Sequence, residues 1–260
     1  EKATDKAKDV VRMTVAKSRL LKPLRTPVID VTPVGLVIGG GVSGLTASLE
    51  LAKQGFKVHL VERDKELGGQ LRRTRYLLED DSPEEKLADL VNEVMRDKKI
   101  HVHLEAEVVE TSGFVGNFRS KIIRGDEEQE IRHGIVIVAI GAEEYKPTEY
   151  LYGIDSRVIT QRELEERITE KEFDAKKLVM IQCVGSRTQE RPNCSRICCG
   201  EALKNALKVK EMSPETEIYV LYRDIRAYRF KEKYYNDAVA KGVVFVNYED
   251  NRKPNVDNND

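Results

Sequence analysis

Two stretches of the chain alternate apolar runs of strand length with amphipathic runs of helix length. The first starts after Pro33, where VGLVIGG is typical of a strand, GVSGLTASLELAKQ of a helix closed by Gly55, and FKVHLVE of a second strand. The second stretch reads KLVMIQCV, CSRICCGEALKNALKVKEM, TEIYVLY, a helix from Lys231 to Lys241, and GVVFVNY. Alternation of this kind predicts two βαβ units with parallel sheets, and therefore an α/β fold.

The segments around these units give weaker signals. Residues 3–21 have helical spacing of apolar positions, which predicts an amphipathic helix packed on its own domain, followed by a linker with Pro23, Pro27 and Pro33. Between the two units the pattern predicts a helix near 83–98, short strands near 100–110, 115–124 and 129–132, and a buried run from Ile135 to Ile140. The short strands fit a small antiparallel flap on the parallel sheet.

Composition and charge exclude some classes of function. Lys and Arg number 44 and Asp and Glu number 45, so no net field favours nucleic acid or an anionic membrane. No apolar run approaches the roughly 18 residues that a membrane span needs. The first residues lack the apolar core of a signal peptide, and we expect a cytoplasmic protein.

A glycine-rich loop stands between the first strand and the first helix of the leading unit. Gly39, Gly40, Gly41, Val42, Ser43 and Gly44 fit G-x-G-x-x-G in the strand-to-helix context that dinucleotide binding requires. The helix N-terminus offers unpaired N–H groups to a pyrophosphate, and Glu62, about 20 residues on, can accept hydrogen bonds from ribose hydroxyls. An acidic residue there repels a 2′-phosphate, so NADP is disfavoured.

Two later motifs favour FAD over NAD as the bound dinucleotide. Arg63 begins a segment that ends in Gly69 and Gln70, and the apolar run near residue 135 ends in Ala139-Ile-Gly141. Both resemble elements of two-dinucleotide-binding flavoproteins of the glutathione reductase and thioredoxin reductase class. The resemblance implies a Rossmann-like FAD-binding domain with a flap and a second Rossmann-like unit. We expect a helix and linker in 1–33, the first part of the FAD-binding domain in 34–160, the second unit in 172–250 and a disordered tail in 251–260.

All four cysteines lie close together in the second unit. Cys183 ends its first strand, and Cys194, Cys198 and Cys199 lie at the predicted start of the next helix. In this place the flavoprotein class has a second glycine-rich loop, which is absent here, so a nicotinamide site is doubtful. Four thiolates suit a [4Fe–4S] cluster or Zn²⁺. Adjacent cysteines favour a cluster because they can bind different iron atoms, while zinc and a redox dithiol remain open.

At this point the residues resemble the A-type subunit of heterodisulfide reductase, the flavin-containing iron–sulfur subunit found in methanogens and in relatives in sulfate reducers and other anaerobes. The resemblance rests on VRMTVAKSRLLKPL, the glycine-loop region, LGGQLR, KPTEYLYG with VITQRELEERI, and QCVGSR with NCSRICCGEALKNALKVKE. It implies FAD and an iron–sulfur cluster held by the four cysteines.

In that family the subunit relays electrons, in some members by flavin-based bifurcation, from a hydrogenase, formate or NADH module to disulfide-reducing subunits. The resemblance therefore implies an oxidoreductase subunit with those partners, of which this chain is expected to be a fragment. Two other functions stay open: a self-contained NAD(P)H:disulfide flavin oxidoreductase and a zinc-binding scaffold without activity. No catalytic acid or base is assigned, and His59, His101, His103 and His133 are expected to be structural or solvated.

Overall fold

The structure is a computed structural model that describes residues 2–23, 28–79 and 82–257. Its helices are α1 (Lys2–Leu20), α2 (Val42–Lys53), α3 (Pro83–Arg96), α4 (Gln161–Thr169), α5 (Cys198–Met212) and α6 (Glu232–Ala240). Its strands are β1 (Val34–Ile38), β2 (Lys57–Val61), β3 (Ile100–His103), β4 (Glu107–Phe114), β5 (Asn117–Arg124), β6 (Glu127–His133), β7 (Ile135–Val138), β8 (Lys177–Ile181), β9 (Glu217–Tyr222) and β10 (Val244–Asn247). Both predicted βαβ units are therefore present.

The first unit is a four-stranded parallel sheet in the order β3-β2-β1-β7. Strands β2 and β3 are added on one side of β1, and β7 pairs with β1 on its other side. The carboxyl ends of β1 and β7 therefore form a topological switch point, where open α/β sheets bind ligands. Leu45, Leu49 and Ala52 of α2 are buried against the apolar side chains of β1 and β2.

The antiparallel flap consists of β4, β5 and β6. It packs through Ile122 and Ile131 on the face of the first sheet that carries Leu36 and Val61, and Ala106, just before β4, joins the same core. The strand predicted near 100–110 is in fact two strands, because β3 joins the parallel sheet and the flap begins only at β4. The flap itself is confirmed.

The second unit is a three-stranded parallel sheet in the order β10-β9-β8. Its core includes Leu203 and Ala206 of α5 together with Ile218 and Val220 of β9, all of them at most 1% exposed. Burying a side chain such as leucine stabilises a fold by about 1.5–3 kcal/mol. Helix α4 packs into the same core through Leu164 and Ile168, although it precedes the strands of this unit.

A segment of the first unit also packs on the second unit. The backbone N–H groups of Arg75 and Tyr76 both donate to Oε1 of Glu165 in α4, at 2.6 and 3.3 Å. The hydroxyl of Tyr76 donates to Oδ1 of Asn205 at 2.7 Å. Lys204 Nζ lies 3.0 Å from Oε2 of Glu165, and both side chains are almost fully buried. Residues 74–79 thus bridge the two units.

Two predictions of burial are wrong. Helix α1 forms where it is predicted, but it contains no buried residue and does not pack on its own domain. The run from Ile135 to Ile140 is not buried either, since Val138 is 66% and Ile140 71% exposed. The physical reason is that β7 is an edge strand, bonded only to β1 among the described residues.

Of the predicted linker prolines, Pro27 lies outside the described residues, as do residues 258–260 of the predicted disordered tail. No helix in the described ranges combines the length and the apolar character of a membrane span.

Candidate functional site

The glycine loop stands at the switch point and begins helix α2. Gly39 has a φ of 105°, and a Cβ there would overlap the backbone of Ala139 at the end of β7. A Cβ on Gly44 would overlap the carbonyl oxygen of Gly39. These two glycines are therefore required by the fold itself, because only the missing side chain lets helix, loop and sheet approach this closely.

Gly41 differs from Gly39 and Gly44. Its φ of −73° and ψ of −179° are open to any residue, and a Cβ there would have no neighbour within 4 Å. Gly41 is also the N-cap of α2, and no side chain caps the helix. The loop therefore presents open space beside an uncapped helix N-terminus that includes Val42 and Ser43, and this arrangement suits a phosphate group.

Glu62 lies directly after β2 and is 8% exposed. Its Oε2 accepts a hydrogen bond from the N–H of Gly40 at 2.5 Å, and its Oε1 accepts one from the N–H of Asp64 at 2.9 Å. The carboxylate is thus fixed below the loop. Because each carboxylate oxygen has about two acceptor sites, both oxygens can still accept ribose hydroxyls.

The second glycine segment lies against the loop. Gly68 donates its N–H to the carbonyl of Gly40 at 2.8 Å, and Gly41 and Gly68 form an isolated parallel bridge. A short 3-10 helix, Gly69–Arg73, follows. Gln70 donates from Nε2 to the carbonyl of Ala142 at 2.8 Å and so ties this segment to the turn after β7.

Of the remaining predicted residues, Gly141 and Arg63 also lie at the carboxyl ends of the strands of the first sheet. Gly141 has a φ of 67° and open space where a Cβ would be. Arg63 follows Glu62 and lies 3.9 Å from Asp64 and 3.8 Å from Glu143, with a mostly exposed side chain. The structure therefore brings the three predicted glycine-rich pieces to one edge.

The cysteines lie near the carboxyl end of β8, the first strand of the second sheet. Cys183 follows β8 and has a φ of 65°, an uncommon conformation for a residue with a side chain. Cys198 and Cys199 are the first two residues of α5. The sequence pattern predicts Cys194 at the start of this helix. In the structure Cys194 lies in the loop before α5, because the helix begins four residues later than predicted. Its Sγ accepts a hydrogen bond from the N–H of Arg196 at 3.2 Å.

Cys198 lies within hydrogen-bonding reach of two other thiols, Cys183 and Cys199. Hydrogen bonds from Cys183 and Cys199 to the sulfur of Cys198 lower the pKa of Cys198, and the same bonds, together with burial, raise the pKa of Cys183 and Cys199. The N-terminus of α5 adds a partial positive charge that favours a thiolate at Cys198. Cys198 is therefore the preferred thiolate of the three, and the thiols of Cys183 and Cys199 donate hydrogen bonds to it.

This arrangement is not that of a formed metal site. In the described part of the chain, no three His, Cys, Asp or Glu side chains are placed to hold a metal ion. The contacting thiols would have to separate to bind different irons of a cluster, and Cys194 would have to join them.

A buried residue that the sequence analysis missed lies next to the cysteines. Gln182 directly precedes Cys183 and is 1% exposed, yet neither its Oε1 nor its Nε2 has a hydrogen-bond partner in the described protein. Buried amides are normally bonded, so a water or a bound group would satisfy this one. No pattern in the sequence distinguishes Gln182 from the other strand residues.

The arginines of the cysteine loop have varied surroundings. Arg187 pairs with Asp224, to which Arg226 also donates at 3.2 Å. Arg191 lies 4.7 Å from the ring centroid of Tyr145, and Arg196 is exposed. Arg191 and Arg196 are both exposed, whereas Arg187 is half-buried.

The histidines lie in strands β2, β3 and β6. In the parallel pair of β2 and β3, His59 lies opposite His101. Its Nδ1 is 2.9 Å from Nε2 of His103 in the same neighbouring strand. His133 is fully buried and bonds Ser120 Oγ through Nε2 at 2.8 Å. These contacts are consistent with the structural role that the sequence predicts.

Known proteins resemble this chain over most of its length. The family of NAD(P)-binding Rossmann-like domains matches residues 37–99. The chain is 33% identical, over 94% of its length, to an A-type iron–sulfur subunit of the CoB–CoM heterodisulfide reductase of Methanopyrus kandleri. It is also 33% identical, over 95% of its length, to the A-type subunit of the H(2):CoB-CoM heterodisulfide,ferredoxin reductase of Methanothermobacter marburgensis. A solved NAD-dependent persulfide reductase from A. fulgidus overlaps 82% of this chain and 39% of its own, with 24% identity and a TM-score of 0.47.

The match to these relatives is partial on their side. Each alignment covers 52% of the relative, so the chain spans about half the length of the curated relatives it matches. The alignments are 341 and 344 residues long, which is longer than the 260 residues of this chain. The relatives therefore have segments inside the matched region that this chain lacks.

Proposed function

We propose that the chain is an electron-transfer flavoprotein segment that binds FAD at the glycine loop, on the basis of its homology over nearly its whole length to the A-type subunits of heterodisulfide reductases. The observation that carries the proposal is the convergence of Gly41, Gly68 and the turn after Ala139 at one switch point. There the uncapped start of α2 would bind the pyrophosphate, and Glu62 would accept the adenosine ribose hydroxyls.

FAD would supply the exchange of electrons, singly or in pairs, and the chain's own residues position it. Gly69 and Gln70 border the loop on one side, and Ala139 and Gly141 border it on the other. Arg63 adds a cation at the rim of this edge. No described side chain at this edge is assigned as a general acid or base, so the proposed role is electron relay within a larger enzyme.

We further propose that Cys183, Cys194, Cys198 and Cys199 bind a [4Fe–4S] cluster. Four thiolates are the donor set that such clusters use, and the structure brings Cys198 within hydrogen-bonding reach of Cys183 and Cys199. Binding requires a rearrangement that brings Cys194 to the other three sulfurs. The partners in this proposal are other heterodisulfide reductase-type subunits and an electron-input module such as a hydrogenase, formate or NADH dehydrogenase.

The deciding experiment is anaerobic purification followed by a visible spectrum with iron, sulfide, zinc and flavin analysis of one sample. Flavin bands with about four iron and four sulfide per chain support both proposals. Flavin without iron supports only the FAD site, and zinc without iron or flavin contradicts both in favour of a scaffold. A chain that takes up neither cofactor after reconstitution overturns the assignment.

The contacts between the thiols favour a second candidate, a flavin-dependent disulfide oxidoreductase. The sulfur of Cys198 lies within hydrogen-bonding reach of Cys183, so these two residues could form a disulfide. The adjacent Cys199 could not, because a disulfide between neighbouring residues of a helix has unfavourable geometry. Thiol titration before and after anaerobic addition of NADH or NADPH tests this function. Two extra thiols per chain after reduction, in protein free of iron, would favour it over the cluster.

A further inference from the structure

One aromatic ring lies between the dinucleotide site and the cysteines. Tyr145 follows the turn after β7, and its ring lies on Gly185, two residues after Cys183. We name residues 184–193 the cysteine loop, because they join Cys183 to Cys194. We propose that Tyr145 is a positioning residue through which a dinucleotide bound at the glycine loop fixes the arrangement of the cysteine loop. The proposal rests on the proposed function, because it takes FAD as that dinucleotide.

The ring of Tyr145 contacts the cysteine loop near both of its ends. A Cβ on Gly185 would overlap the ring, so the backbone approaches it as closely as only a glycine permits. Near the other end, the guanidinium of Arg191 lies over the same ring, 4.7 Å from its centroid. The N–H of Arg187 donates to the carbonyl of Asn193 at 3.2 Å and closes the loop on itself. A shift of the ring therefore displaces the whole loop and the cysteine that follows it.

The segment that carries the ring is anchored at the dinucleotide site. The carbonyl of Ala142 accepts the hydrogen bond from Gln70 at 2.8 Å. Glu144 lies 3.8 Å from Arg162 of α4, and Arg162 donates to Gln70 at 2.7 Å. Three residues of extended chain span at most about 10 Å, so the ring of Tyr145 stays close to the turn. A ligand that restricts the turn therefore restricts the ring.

The turn after β7 has little protein around it. Gly141 has open space where a Cβ would be, and Ile140 is 71% exposed. Gly141 and Ala142 are exposed as well. A dinucleotide at the switch point would lie against this turn and restrict it, because ligands of open α/β sheets bind at the carboxyl ends of the strands. The restriction would reach the cysteine loop through the ring, and such a coupling of two sites acts equally in both directions.

The test measures this coupling in the reduced, metal-free chain under anaerobic conditions. Iodoacetamide alkylates Cys194, and peptide mass spectrometry follows the rate with and without saturating FAD. We expect FAD to slow the alkylation about fivefold or more in the wild type and less than about twofold in Tyr145→Ala. The ratio of the two rates isolates the coupling, because a merely structural role of the ring would change both rates together.

Two variants serve as controls. Tyr145→Phe keeps the ring and loses only the hydroxyl, which donates to Glu149 at 3.2 Å, so FAD should slow its alkylation as in the wild type. Tyr152→Ala removes another half-buried tyrosine of the same segment, whose hydroxyl donates to Glu163 of α4 at 2.8 Å. It should also leave the effect of FAD unchanged. Circular dichroism verifies that each variant folds.

A further variant tests the contact from the side of the cysteine loop. Gly185→Ala places a Cβ against the ring and should reduce the effect of FAD in the wild type, but should add little in Tyr145→Ala, where the contact is already lost. An equal effect of FAD in the wild type and in Tyr145→Ala, or an equal loss of the effect in Tyr152→Ala, would overturn the proposal.

The FAD affinity of each protein is measured on the same samples by quenching of flavin fluorescence. A wild type that binds no FAD overturns the proposed function and this proposal with it. A wild type that binds FAD without any change in the alkylation of Cys194 overturns this proposal alone.

Discussion

At the scale of single residues, the glycines of the loop separate into those that the packing of the fold requires and one, Gly41, where the fold leaves room for a side chain. A side chain on Gly44 would overlap the backbone of Gly39, whereas one on Gly41 would enter open space. Gly41 also has a backbone conformation that any residue adopts. The sequence motif alone gives both positions the same letter, so only the structure distinguishes them.

We predict that Gly41→Val leaves the fold intact and weakens FAD binding by at least about tenfold, because the new side chain occupies the space beside the helix N-terminus. The measurement is a titration followed by quenching of flavin fluorescence, with thermal unfolding as the check on folding. Gly44→Val is the contrasting variant and should lose folding as well as binding. Unchanged FAD affinity in Gly41→Val would show that the dinucleotide does not approach this loop.

The histidine cluster gives a prediction for the pH dependence of stability. Burial, and then the proximity of His103, lowers the pKa of His59 from 6.5 to about 4. The folded state therefore prefers the neutral ring. This preference stabilises the fold fully above pH 6.5, and the stabilisation is lost as the pH falls from 6.5 towards 4.

His59→Phe keeps a ring of similar size but cannot take up the proton. We expect its free energy of unfolding to fall less steeply between pH 6.5 and pH 4 than that of the wild type. Denaturant titrations at a series of pH values give the two curves. Parallel curves over this interval would mean that His59 does not carry the pH dependence.

Some features of single residues can be predicted from the sequence, and others cannot. The glycine loop and Glu62 are local motifs in a defined strand-to-helix context, and the structure places them as the pattern indicates. The contacts among Cys183, Cys198 and Cys199 and the unsatisfied amide of Gln182 depend on how a strand end meets a helix start. Sequence spacing places those residues near each other but does not determine their distances or partners.

At the scale of elements, helices α4 and α5 are joined by a buried ion pair. Lys204 lies 3.0 Å from Glu165 and 2.8 Å from Glu201, and the side chains of Lys204 and Glu165 are 6% and 5% exposed. Lys204 also lies over the ring of Tyr76, 5.0 Å from its centroid. A buried charge that loses its partner is costly, so this pair constrains the packing of the two helices.

We predict that Lys204→Ala lowers the free energy of unfolding by about 3 kcal/mol, because it leaves the carboxylate of Glu165 buried without its cation. The exposed pair of Lys208 and Glu211 on the same helix provides the control, and Lys208→Ala should cost less than about 0.5 kcal/mol. Urea titrations of the three proteins give the comparison. Similar losses in the two variants would show that burial does not determine the contribution of this pair.

Elements were predictable where the apolar period was strong, as in α2, β1, β2 and the second unit. The wrong predictions concern which surface packs against a helix or strand. The run after Ile135 has the composition of an internal strand but lies at an edge, and α1 has an apolar stripe without a partner in the described chain. A pattern of apolar residues shows that a face tends to be buried, but it does not identify the surface that buries it.

At the scale of the whole molecule, the two α/β units are connected by more than the chain between them. Residues 74–79 leave the glycine site of the first unit and bind to Glu165 and Asn205 of the second. Gln70, at the glycine site, also accepts a hydrogen bond from Arg162 of α4 at 2.7 Å. The dinucleotide site is therefore mechanically linked to the unit that holds the cysteines.

This linkage predicts that the units unfold together. We expect one calorimetric transition for the described chain, and FAD at about 100 times its dissociation constant should stabilise it by about 2.7 kcal/mol, which raises the midpoint by roughly 5–10 °C. Replacing Tyr76 with Ala and Arg162 with Ala removes two side-chain hydrogen bonds that cross between the units, from Tyr76 to Asn205 and from Arg162 to Gln70. In that double variant the transition should divide, and FAD should shift only the part that belongs to the first unit. Two transitions in the wild type would instead show that each unit folds independently, and the bridge would then only position the units.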